Sequence, residues 1–206
     1  MNNAVVFKIE VGKTEVLDYV QSPPSFFESL TEKKIALNVV EITLKWIDSV
    51  KFKDKIIKRE PKVVRAVLFK KYNRLLLLSE SEREVQYFIS RVQKEYNFIL
   101  KEMSLYSHFM NNYIKNSKDK WKVIAINMRS KTGDEITINV RGLKKNTEGD
   151  ILKGFSGIED SILSITCKIG NDYYFTVDKR SSVSTPDNIT ENEALEMYEE
   201  LFKLYA

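Results

Sequence analysis

A single histidine, His108, and a single cysteine, Cys167, leave this chain few routes to covalent or metal chemistry. One imidazole without a second histidine, and one thiol without a neighbouring thiol, do not make a tetrahedral zinc site. His108 falls in a helical stretch beside Phe109, and Cys167 alternates with polar residues in register with Leu163, Ile165 and Ile169. Those settings suit a satisfied or solvent-facing imidazole and a buried, inert thiol.

Carboxylates are the remaining route to an enzyme. Asp160, Asp172 and Asp178, the last followed by Arg180, fall on successive predicted strands and turns. Paired carboxylates can hold a hard cation while a basic group orients a phosphate. A metal-dependent nuclease using Asp160 and Asp178 is therefore one alternative, although Asp172 is already accounted for by its hairpin turn. Gly12-Lys13-Thr14 matches the tail of a phosphate-binding loop, but the glycine required five residues earlier is Phe7. Without that glycine the backbone cannot curl its N–H groups around a phosphate, so the segment reads as a turn after a strand.

The basic side chains form the strongest functional signal. Lys51, Lys53, Lys55, Lys58, Arg59, Lys62, Arg65, Lys70, Lys71 and Arg74 crowd into 24 residues against only Asp54 and Glu60. Phe52, Phe69 and Tyr72 are interleaved with them. Cations in such a run can track phosphates while rings stack on bases. Lys118, Lys120, Lys122, Arg129, Lys131, Arg141, Lys144 and Lys145 extend the basic character, whereas residues 146–206 hold twelve acidic and five basic side chains. A net charge of +4 thus conceals opposed halves, a layout that goes with charged partners. The competing readings are a solvated charged surface, or docking of the basic region on the acidic tail of another copy.

The chain has no apolar run near the roughly 20 residues of a bilayer span, and its start lacks the basic and apolar segments of a secretory leader. With one cysteine and no internal disulfide, a cytoplasmic, reducing setting is expected, with no membrane association and no cofactor.

These side chains need elements to hold them. From Val85, apolar residues recur at Ile89, Val92, Tyr96, Ile99, Met103, Tyr106, Met110 and Tyr113, a heptad spacing. Neither Gly nor Pro occurs from Lys62 to Thr132, and Ser79-x-x-Glu82 and Ser81-x-x-Glu84 both read as capping boxes. One long central helix over about 80–115 is therefore expected, with Asn97 as the place where it would kink or break in two. Its 85–113 seam would meet a second copy or a partner protein. Strands are predicted at Ala4–Glu10 and Val39–Ile47, and a short helix through Leu30. Hairpins are predicted at 63–79 around Asn73, at 121–140, and at 162–178 around Gly170. Residues 142–157, with four of the seven glycines, read as a mobile loop or boundary. Thr190-x-x-Glu193 opens a C-terminal amphipathic helix with Leu195, Tyr198, Leu201, Phe202 and Tyr205 on its apolar face.

The fold class expected is α+β: antiparallel hairpins packed with the long central helix and the C-terminal helix. Residues 1–145 form the main, basic part, and 146–206 an acidic remainder of the same domain. The functional expectation is a non-enzymatic nucleic-acid-binding protein, contacting DNA or RNA through residues 51–74 and self-associating through its helix. The alternatives are an interaction subunit of a protein assembly and the nuclease named above.

Overall fold

Strands dominate the computed structural model, which describes residues 2–11, 27–52, 55–79, 81–107, 121–140, 161–170 and 173–205. In chain order they are β1 (Asn2–Val11), β2 (Glu28–Ala36), β3 (Val39–Phe52), β4 (Lys55–Phe69), β5 (Arg74–Leu78), β6 (Phe98–Glu102), β7 (Trp121–Arg129), β8 (Glu135–Asn139), β9 (Ile162–Ile169), β10 (Tyr173–Asp178) and β11 (Ser182–Thr185). The two principal helices are α1 (Glu82–Tyr96) and α2 (Glu191–Leu204). The expected architecture around one long helix is corrected: the class is mainly β, with short helices. The chain divides into two compact units, Ala4–Glu102 and Met103–Ala206 with Met1–Asn3.

In the Ala4–Glu102 unit the strand order is β2-β3-β4-β5-β1, and β6 also pairs with β1. All these pairings are antiparallel. β5 lies between β4 and β1; Leu75 and Leu77 pack with α1 on one face and Leu76 is buried on the other, which is why this segment lacks polar alternation. The turn before it is a short 3-10 segment, Lys70–Tyr72, closed by Asn73 in the left-handed conformation (φ 51°) that its sequence position suggested. On the face carrying α1, Val85, Phe88, Val92 and Tyr96 pack with Ile42, Leu44, Trp46, Val64, Ala66, Leu68, Leu75 and Leu77.

α1 begins where its caps direct. The Ser81 hydroxyl accepts from the Glu84 backbone N–H at 3.4 Å, while Ser79 donates to the Glu84 carboxylate. The helix ends at Asn97, which takes a left-handed conformation (φ 53°). At 1.5 Å per residue its 15 residues reach about 22 Å, not the 50 Å of the expected rod. A strand follows the break instead of a second helix: Phe98–Glu102 pairs with Phe7–Val11. Burial alternates there from Phe98 (buried) to Ile99 (exposed), a period of two beneath the heptad spacing. The free edge of β1 supplies backbone partners that a continued helix would leave unmet. The helical state returns over 105–107, and 108–120 lie outside the described residues. The seam residues Val85, Val92 and Tyr96 are therefore consumed by the unit's own sheet. The short helix expected through Leu30 is likewise replaced by β2, whose edge position is marked by exposed Glu and Lys.

In the other unit the order is β11-β10-β9-β7-β8, again antiparallel. Ile162, Ile165, Cys167 and Ile169 of β9 are buried, as are Met197, Tyr198, Leu201 and Phe202 of α2. Thr190 and Glu193 form the expected reciprocal capping box, an arrangement worth about 1 kcal/mol. β11 falls within the polar segment Ser181–Asn188, which includes Pro186, with Val183 and Thr185 turned inward. The 142–157 glycine-rich segment is outside the described residues. Among the described residues no helix is long and apolar enough to cross a membrane.

Candidate nucleic-acid interface

The basic stretch 51–74 starts at the end of β3, runs the length of β4 and the turn that follows it, and ends on the first residue of β5. β3 and β4 pair from Val39↔Phe69 to Phe52↔Lys55 with one break in register, and the described flanking strands end before Ser49↔Lys58. β2 ends its pairing at Glu28↔Trp46, with one more bond from the Ile47 N–H to the Phe27 carbonyl at 2.8 Å. β5 ends at Arg65↔Leu78. Among the described residues, then, no other strand pairs with the hairpin from Ser49 to Lys58, and it runs on as a two-stranded arm.

Local chemistry marks the root of that arm. Between Ile47↔Pro61 and Ser49↔Lys58 the register shifts, so that Asp48 stands opposite both Arg59 and Glu60. A bulge of this kind raises the local twist and re-aims the strands beyond it. Pro61 has no N–H to give to a further strand, and it is tolerated here because among the described residues β4 has no second partner at that point. Beyond the bulge the backbone sets Lys51 opposite Ile56, Lys55 opposite Phe52 and Lys58 opposite Ser49. Lys53 lies outside the described residues.

The remaining cations of the stretch have other occupations. Lys62, directly across from Trp46, places Nζ 5.9 Å from that ring's centroid and 4.0 Å from the Glu84 carboxylate on α1. Trp46 in turn lies 4.8 Å from the Tyr87 ring, so Lys62 belongs to the seam between sheet and helix. Arg65 donates from Nε to Glu41 at 2.9 Å and forms an ion pair with the same carboxylate. Glu41 is the diagonal cross-strand neighbour of Arg65, since Thr43↔Arg65 and Glu41↔Val67 are in register. Arg74 is buried and donates to the Tyr72 and Asn73 carbonyls at 2.9 and 3.2 Å; burial lowers its pKa from the ordinary guanidinium value. Phe69 is 2% exposed and offers no ring face to a base.

Lys70 and Lys71 are exposed at the far end of β4, with Lys71 Nζ 5.3 Å from the Tyr72 ring centroid. Fifteen strand residues at 3.2–3.4 Å each separate this turn from Lys55 by roughly 50 Å. The two ends of the stretch therefore do not share a patch, and Phe52 and Tyr72 do not share a stacking platform. Of the more distant cations, Lys122, Arg129 and Lys131 belong to the other unit, where Arg129 pairs with Glu135 at 3.6 Å. Lys118, Lys120, Arg141, Lys144 and Lys145 lie outside the described residues.

The residues considered for catalysis have structural occupations where they are described. Asp178 accepts from the Ser182 N–H at 2.8 Å and holds the turn between β10 and β11, in which Ser181 adopts a left-handed φ of 62°. Asp160, Asp172 and His108 lie outside the described residues. Cys167 is fully buried in β9, and burial raises its pKa far above that of a free thiol. Because the reactive form is the thiolate, native protein at pH 8 is expected to resist alkylation by iodoacetamide and to react fully once unfolded in urea. Mass spectrometry before and after unfolding reads this directly, and rapid native labelling would contradict the burial of β9.

Sequence reasoning found the cations but missed the carboxylates that engage two of them. Glu41 and Glu84 become visible only once the β3–β4 register and the docking of α1 are known. No protein-family model matches the chain, and a comparison with curated proteins finds no match.

Proposed function

We propose that this protein binds nucleic acid without acting on it chemically, and that the β3–β4 arm is its contact element. The observation that carries this reading is the backbone pairing: among the described residues β3 and β4 continue past their flanking strands as two strands alone, in a stretch whose sequence holds Lys51, Lys53, Lys55, Lys58 and Arg59 against Asp48, Asp54 and Glu60. A stretch this rich in cations suits a phosphate chain, which presents dense negative charge. Lys62, Arg65, Arg74 and Phe69 support the sheet and the docking of α1 and are not part of the proposed contact. Self-association through a long helix is not carried forward, because α1 ends at Asn97 and a strand follows it. A cytoplasmic setting goes with this reading, in keeping with a lone buried thiol.

Titration of labelled DNA and RNA with the full chain across a salt series tests the proposal. Each phosphate neutralised contributes about 0.7–0.9 to the slope of log K against log salt. Three to five contacts from the arm then weaken binding about 100-fold between 50 and 200 mM salt. Affinity that is absent at the lower salt, or that barely responds to salt, removes the proposal.

A further inference from the structure

The opposite end of β3 and β4 carries a surface that is independent of the arm and of the nucleic-acid reading. We infer that the paired turns at this end, 37–38 and 70–73, dock peripherally on anionic lipid, with Leu37 entering the headgroup layer and the surrounding lysines meeting the lipid phosphates.

The two turns are held side by side. Val39↔Phe69 is the last rung of β3 and β4 at this end, and just beyond it the Lys70 N–H donates to the Asn38 carbonyl at 2.9 Å. Leu37, in the turn between β2 and β3, is 83% exposed, more than any other large hydrophobic side chain among the described residues. On the neighbouring turn Lys70 and Lys71 are exposed, with Lys71 against the ring of the half-buried Tyr72. Lys33 and Lys34 are also exposed and stand four and three residues before Leu37, set back along β2 by roughly 10–13 Å. Among the described residues none of these four lysines is ion-paired. The neighbouring carboxylates are engaged elsewhere, Glu41 by Arg65 and Glu32 by the Tyr96 hydroxyl.

One exposed leucine is ordinary by itself, and lysines on β2 also blunt a sheet edge. Neither point accounts for Lys70 and Lys71, which sit on a turn, or for an apolar side chain at a hairpin tip with cations beside and behind it. That order matches a lipid surface. Apolar groups bury about 5–10 Å into its headgroup boundary, while basic groups stay at the anionic surface. Tyr72 adds an amphipathic ring of the kind that favours this level. A nucleic acid would engage the lysines and leave Leu37 without a part. Surface contact of this kind needs no spanning helix, so the lack of one has no bearing on it.

Co-sedimentation of the full chain with large unilamellar vesicles, at about 100 mM salt, tests the inference. Vesicles of phosphatidylcholine with about two-fifths phosphatidylserine are expected to bind at least about tenfold more tightly than phosphatidylcholine alone. Each lysine near an anionic surface is worth a factor of about five, so Lys70→Gln combined with Lys71→Gln should lower the partition about 25-fold. Leu37→Ser keeps every charge and should lower it at least about threefold, through loss of apolar burial alone. Leu37 is exposed, so this variant keeps the core intact, which circular dichroism checks. Equal partition onto the two vesicle compositions, or binding to neither, overturns the inference. So does a Leu37→Ser protein that binds as well as the parent, because the end would then be a plain cationic patch for any polyanion. None of these outcomes touches the nucleic-acid reading, which the salt series on DNA and RNA decides.

Discussion

Phe88→Ala is expected to destabilise the Ala4–Glu102 unit by about 3–5 kcal/mol, the usual cost of emptying a buried phenylalanine site. Phe88 is fully buried near the middle of α1 and packs with residues of β3, β4 and β5. Removing its ring takes away the apolar area that holds the helix to the sheet and leaves a cavity the strands are too constrained to close. Tyr87 donates to Glu28 at 2.9 Å and the half-buried Arg91 pairs with Glu28, contacts that hold the helix margin but do not fill the cavity left by the ring. The informative comparison is Ile99→Ala. In a continuous rod Ile99 would occupy the same seam as Val92, yet here it is 57% exposed on β6. Its truncation is expected to cost under about 1 kcal/mol, as for an exposed site away from special features. Urea unfolding followed by circular dichroism measures both. Comparable losses for the two variants, or a loss under about 1 kcal/mol for Phe88→Ala, would refute the packing described for α1.

That contrast also shows where local sequence chemistry runs out. Features fixed within a few residues could be read: Asn73 at a positive-φ turn, Ser81 and Thr190 as helix caps, the unalternating leucines of a covered strand, the hairpin around Gly170. Features decided by distant partners could not. Phe98–Glu102 carries apolar residues compatible with a helical period, and only the unpaired edge of β1, some ninety residues earlier in the chain, turns it into a strand. β2 is a strand because it completes the edge of β3, although Glu32, Lys33 and Lys34 give it little strand character of its own. The candidate site divides in the same way. The density of cations in 51–74 is a property of sequence, whereas the commitment of Arg65 to Glu41 and of Lys62 to Glu84 depends on register and on helix docking.

The two ends of β4 are therefore expected to behave differently on charge reversal. On the proposed nucleic-acid reading, Lys51→Glu, Lys55→Glu and Lys58→Glu combined should weaken nucleic-acid binding by 100-fold or more near 100 mM salt and flatten the salt slope by about 3, since each lost phosphate contact removes about 0.9. The paired control is Lys70→Glu with Lys71→Glu, which changes net charge by four instead of six at the opposite end of the strand. At roughly 50 Å of strand from the arm's tip, those lysines are several Debye lengths away at this ionic strength, and the Debye length is about 10 Å. Their reversal should shift affinity by less than about threefold and leave the salt slope within about 0.5 of the original. Lys70 and Lys71 are exposed, and circular dichroism checks that both proteins keep the parental unfolding midpoint. If both variants lose affinity in proportion to charge alone, binding follows the net field of the protein and the arm has no special part in it. If only the arm variant fails, the contact lies where the sheet's flanking strands end and the two-stranded ribbon begins.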